Sequence, residues 1–202
     1  MYEFNDFNTR HDKYKSWGKL KKQMESLLCD ALKNKISYFY TRYHKHRGSY
    51  GRAAIQYDKK ELVSFSWDVG FDVQWAEEYN FTLDEPDERK YETIQELQRE
   101  IHTELMRTKW MPNGTLYHLD FTHAAILYLQ TDIQTALTSD NYLLRIFAYM
   151  DRRTGKRTLL KIQNDIDQLP EWVSQFYHLR CEAENLQIIP PSPLDMQNTT
   201  FL

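Results

Sequence analysis

Glycine and proline are scarce in this 202-residue chain, at six each, and prolines gather only near the end, at Pro190, Pro191 and Pro193. Such a composition excludes a low-complexity or repeat-linker protein, and 14% aromatic residues argue for a packed chain. Few glycines also mean few phosphate-cradling loops. Gly48-Ser-Tyr-Gly51 is too sparse for one, and Gly155-Lys156-Arg157 lacks the upstream glycine a P-loop needs. Cysteine is nearly absent. Cys29 and Cys181 lie far apart with no CxxC or Cys/His spacing, so free buried thiols of an intracellular protein are expected. Neither thiol has a nearby histidine at an informative spacing, and no Gly-x-Ser-x-Gly elbow occurs, which disfavours nucleophilic hydrolysis.

Long hydrophobic runs are missing too. The apolar stretch 124–129 meets Gln130 and Asp132 well short of the roughly 18 residues a membrane span requires. Residues 1–17 lack the basic start and apolar core of a secretory signal, so the expectation is a soluble, cytoplasmic protein with no membrane partner. Nor does one sign of charge prevail. With 26 Lys and Arg against 29 Asp and Glu, a global attraction to nucleic acid or anionic membrane is excluded, and any anion binding must come from a local patch.

What is present points to an α+β domain, an antiparallel β-meander and a hairpin packed with about four helices. A polar extension, 1–15, precedes a single domain over 16–185, and a proline-containing tail, 186–202, follows. From Ser16, apolar residues at Trp17, Leu20, Met24, Leu27, Leu28, Ala31 and Leu32 predict an amphipathic helix ending near Asn34. Dense β-branched and aromatic residues predict strands over 36–43, 50–57 and 61–67, the last two joined at Asp58-Lys59-Lys60. Residues 67–89 read as a loop with one short helix at most. Thr93-Ile-Gln-Glu96 is a capping-box pattern that opens a helix ending before Pro112-Asn113-Gly114. A helix is expected over 122–137. The segment 142–150 is β-rich and, with 158–162, predicts a hairpin, although its first arm also fits a helix. Pro170 sits in the tolerated first turn of a last helix with Trp172, Val173, Phe176, Tyr177, Leu179 and Ala183 inward.

The chemistry-bearing residues fall in two basic clusters. Arg152, Arg153, Lys156 and Arg157 stand around Thr154-Gly155, and guanidinium forks of this kind suit phosphate or carboxylate. Arg42, His44, Lys45, His46, Arg47 and Arg52 lie on and between the first two strands. The bland alternative is a solvated turn whose arginines pair with carboxylates such as Asp151. His118-Leu-Asp120-Phe-Thr-His123, with Asp132, offers metal-ligand types, but the spacing matches no metal signature, so neither metal nor cofactor is assigned. Taken together, the Trp17-x-x-Leu20 helix, Thr41-Arg42-Tyr43, Tyr50-Gly51-Arg52-Ala53, Asp151-Arg-Arg-x-Gly-Lys-Arg157 and Phe176-Tyr-x-Leu-Arg180-x-x-Ala183-Glu184 resemble a family of small, uncharacterised bacterial cytosolic proteins over most of 16–185. That resemblance implies a single-domain α+β protein, with no catalytic residues to carry over.

The functional expectation is a noncatalytic interaction protein of the regulatory-subunit, immunity-protein or antitoxin type. It would bind an acidic protein partner through Arg42, Arg47, Arg52, Arg152, Arg153, Lys156 and Arg157. The alternative is nucleic-acid binding in which Arg153 and Arg157 neutralise phosphate, either alone or with phosphodiester cleavage in which His44 or His46 transfers a proton.

Overall fold

The computed structural model describes residues 16–42, 51–66, 114, 116 and 118–187. The expected helix over 93–111, the loop over 67–89 and the tail from residue 188 lie outside them. Over the described residues the α+β expectation holds, with one three-stranded antiparallel sheet and seven helices.

Helix α1, Trp17–Ser26, buries Leu20 and Met24. It stops eight residues before Asn34, although the apolar spacing continues through Leu27, Leu28, Ala31 and Leu32. The reason is tertiary: Leu28 forms an isolated antiparallel bridge with Asp151, so its backbone serves a distant segment instead of another helical turn. Asn34, at φ 67°, then turns the chain into the sheet. Strands β1 (Ile36–Arg42), β2 (Gly51–Tyr57) and β3 (Lys60–Ser66) form the expected meander in the order β1-β2-β3. Asp58 and Lys59 both take positive φ, the twist-matched geometry of a two-residue hairpin turn. Cross-strand partners Tyr38 and Ile55, and Ala53 and Phe65, are all buried in the core.

Helix α2, His118–Tyr128, lies against this sheet, and α3, Ile133–Leu137, follows a break at Gln130–Asp132. The single helix expected over 122–137 is therefore two, because the Asp132 carboxylate accepts from the backbone N–H groups of Gln134 and Thr135, both at 3.0 Å, and starts a new helix. Phe121 gathers the layers: its ring lies 5.7 Å from Phe65, 5.7 Å from Phe147, 6.0 Å from Trp17 and 6.1 Å from Tyr38.

The predicted hairpin is not formed. Residues Tyr142–Met150 are helix α4, and Lys156–Lys161 are helix α5. Asn141 caps α4 by accepting from Leu143 N at 3.0 Å. Leu143, Leu144 and all of Ile146 to Met150 are buried, so the segment is apolar around most of its circumference. An all-round apolar run reads as poorly alternating β sequence, yet it is what a central core helix requires. After α6, Gln163–Ile166, comes α7, Glu171–Ala183, beginning just past Pro170 as expected. Its buried residues are Val173, Phe176, Tyr177, Arg180 and Cys181, whereas Trp172, Leu179 and Ala183, expected inward, are half-buried.

Gly51 is sterically obligatory: a Cβ there would stand 2.5 Å from Thr41 O and 2.6 Å from the His118 ring. Gly51→Ala should cost about 1–3 kcal/mol in urea unfolding. A loss below roughly 0.5 kcal/mol would show that α2 packs less closely on β2 than described.

Burial lifts the phenols of Tyr38, Tyr128 and Tyr177 well above the usual tyrosine range and pushes Tyr149 up to about 12. Their folded values exceed the unfolded one, so their contribution to stability is complete below about pH 10 and is lost as pH rises toward the folded values. Unfolding free energy should fall above about pH 10, by about 1.4 kcal/mol per pH unit for each such phenol still neutral in the folded state. Equal stability at about pH 8 and pH 11 would contradict this burial.

Candidate functional site

Because α4 is buried to its last residue, its terminal carbonyls cannot turn to water, and three distant groups satisfy them instead. Thr154 Oγ1 donates to Ala148 O at 2.6 Å, Arg180 Nη1 to Tyr149 O at 3.1 Å, and Cys29 N to Met150 O at 2.9 Å. Arg180, 2% exposed, also donates to Asp151 O and Thr154 O, both at 3.0 Å, and through Nε to Glu184 Oε1 at 2.9 Å. A cation at a helix C-terminus is also favoured by the helix dipole. Arg180 was not among the expected site residues, although its phase gives it away. It falls at i+7 from Val173 and i+3 from Tyr177, on the apolar stripe of α7, where a charge requires buried partners.

The four cations of the predicted basic tip occupy the connection from α4 to α5 and the start of α5, and they divide in two. Arg153 closes over the buried Asp151 carboxylate, donating at 2.8 Å from Nη2 and through Nε at 3.0 and 3.1 Å, with its guanidinium 5.5 Å from the Tyr128 ring centroid. The same carboxylate accepts from Tyr128 OH at 2.6 Å and from Arg153 N at 2.7 Å. Lys156 reaches Glu184, Nζ lying 3.6 Å from Oε2 and 3.3 Å from the carbonyl oxygen. Arg152 and Arg157 are exposed and have no side-chain partner among the described residues. Arg152 is nonetheless fixed at its backbone, its N–H donating to Leu27 O at 2.8 Å. Arg152 and Lys156 line a cleft of about 440 Å³ together with Arg180 and the carboxylate-bearing Asp30 and Glu184.

The second cluster is built on the sheet. Arg52 pairs with Glu61 of β3 and lies 5.4 Å from the Phe39 ring centroid, and Arg42 ends β1. His44, Lys45, His46 and Arg47 fall outside the described residues. His118 and Asp120 are buried in the first turn of α2, and His118 lies 5.7 Å from the Tyr40 ring. No group of three or more His, Cys, Asp or Glu able to hold a metal occurs among the described residues. Cys29 and Cys181 are free and buried, and desolvation raises both thiols, which lowers their thiolate fraction. Cys29 sits in the turn after α1 and not, as its sequence context suggested, in a helix.

Residues 16–181 match the model of the SF0329 protein family, and the chain belongs to that family. No curated protein and no solved structure matches. No helix among the described residues is long and apolar enough to cross a membrane.

Replacing Arg180 with methionine should cost about 3–5 kcal/mol in urea unfolding, because three carbonyls and Glu184 lose their donor together. Arg180→Lys should recover little of that, since an ammonium cannot present the planar fork. Near wild-type stability for both variants would show that water can replace the guanidinium.

Proposed function

We propose that this SF0329 family member is a noncatalytic, cytoplasmic interaction protein of the regulatory or antagonist type. It binds an acidic surface of another protein through the cations between Arg152 and Lys161. The observation that carries this reading is the division of the basic tip. Arg153, itself 41% exposed at its side chain, is paired with the buried Asp151 carboxylate, whereas Arg152, Arg157 and Lys161 are exposed with no acidic side-chain partner among the described residues. They stand on backbone that buried hydrogen bonds hold in place, so presenting them to a partner requires little ordering.

Local electrostatics support the same reading. The first turn of α5 carries Lys156 and Arg157 and no acidic residue, and its N-cap, Gly155, makes no side-chain cap. Cations at a helix start gain nothing from the dipole, so their placement is not explained by helix stability. The chain as a whole carries a formal charge of −3, which leaves a short-range patch as the attraction. Arg152 and Arg157 would set association rate and salt dependence, the usual property of exposed interfacial charges.

Native affinity purification at low salt, with and without nuclease, tests the proposal. A discrete protein partner should survive nuclease, and Arg152→Ala combined with Arg157→Ala should weaken its binding about tenfold or more, with stability changed by less than about 0.5 kcal/mol. Arg153→Ala should instead destabilise the fold, since it strips the buried Asp151 of its cation. Recovery of nuclease-sensitive, salt-labile nucleic acid and no protein would replace this reading with nucleic-acid binding.

A further inference from the structure

The exposed side of α5 holds more than charge. Leu160, 45% exposed, is the large hydrophobic side chain that stands exposed among the described residues. Its outward phase is fixed by its neighbour. Leu159 is fully buried, and its carbonyl accepts from Tyr177 OH at 3.0 Å, which holds α5 against α7. On a helix, residues three and four positions away share a face, so Lys156 and Arg157 flank Leu160 on one side and Lys161 follows it in sequence. All three cations are exposed.

A single exposed leucine means little by itself, because solitary apolar side chains are common on protein surfaces. This one has Lys156 and Arg157 on the preceding turn of its face and Lys161 next to it, and the combination restricts what can cover it. Resting on the reading of this surface as the partner site, we propose that the occupant is an acidic amphipathic segment of a protein partner. An apolar residue of that segment covers Leu160 while its carboxylates meet Arg157, on the preceding turn of the same helix, and Lys161. Charge complementarity sets the sign of the occupant, and the leucine sets its amphipathic character. Interfaces of this kind take their energy from a central desolvated contact and their orientation from a charged rim. A nucleic acid would use the cations and leave the leucine uncovered, since an aliphatic side chain offers no π-face for stacking. An anionic bilayer would gain one leucine of insertion, too small an apolar area for stable interfacial binding.

The test is fluorescence anisotropy on the full chain with two labelled synthetic peptides of equal length and net charge. One is a glutamate-rich amphipathic helix with leucines on one face, and the other carries serine at those leucines. The leucine peptide should bind, and Leu160→Ser should weaken it about tenfold while leaving urea unfolding unchanged. The serine peptide should bind about tenfold more weakly to the wild type and be indifferent to Leu160→Ser. If both peptides bind equally and Leu160→Ser changes neither, while Arg152→Ala with Arg157→Ala weakens both, the leucine contact is overturned and the cationic surface stands. If neither peptide binds, or binding ignores the arginine variants, the partner surface fails together with the inference drawn from it.

Discussion

The guanidinium of Arg180 is the interaction on which the arrangement of this protein depends. A helix as apolar as α4 gains from complete burial, but burial strands its last carbonyls away from water. Arg180 reaches Tyr149 O, Asp151 O, Thr154 O and the Glu184 carboxylate, so one buried cation settles the end of α4 and the turn after it. Desolvating an ion pair is expensive, and Arg180–Glu184 need not make the fold more stable than an apolar pair would. Its effect is on conformation. With the carbonyls of Asp151 and Thr154 both committed to one guanidinium, the connection into α5 has little freedom.

That constraint propagates in two directions. Backward in sequence, the fixed connection offers Arg152 N to Leu27 O, and Met150 O accepts from Cys29 N, which is why α1 ends at Ser26 despite apolar spacing that continues. Forward in space, the same turn points the Asp151 carboxylate toward Tyr128 OH and the Arg153 guanidinium, tying α2 to the end of α4. A carboxylate so placed needs its cation, and the Arg153 guanidinium, although partly exposed, is committed to it.

The legible parts of the sequence were those where local pattern and tertiary demand agree. The meander over β1 to β3 combined β-rich composition with a short turn at Asp58 and Lys59, and its strands lie within one residue of expectation. The start of α7 after Pro170 was visible for a similar reason. Legibility failed where burial overrode period. In α4 the residues Ile146 to Met150 are all enclosed, so neither a period of two nor one of 3.6 emerges, and β-rich composition misleads. The candidate site was legible as a group of residue types and illegible as a division of roles. Nothing in the string Asp151-Arg152-Arg153 says which arginine pairs with the Asp151 carboxylate. That choice is made by Tyr128 and Arg180, 23 and 29 positions away.

The division of roles bears on the partner surface proposed above. All four tip cations are exposed, and side chains of that kind lose rotamer freedom on binding, which offsets part of what exposed charges contribute. In this fold the backbone beneath them is already ordered by the buried network, and Lys156 is drawn toward Glu184 of α7. The cations without an acidic side-chain partner among the described residues, Arg152, Arg157 and Lys161, occupy with Leu160 one short helix and the turn before it. A small apolar contact beside exposed cations would discriminate through geometry as much as through charge, because the proposed partner would have to align its carboxylates and its apolar residue together. Under that proposal the hydrogen bonds of Arg180 would make such alignment enforceable: a mobile turn would let the cations follow any acidic surface, whereas a fixed one would admit only those whose spacing matches.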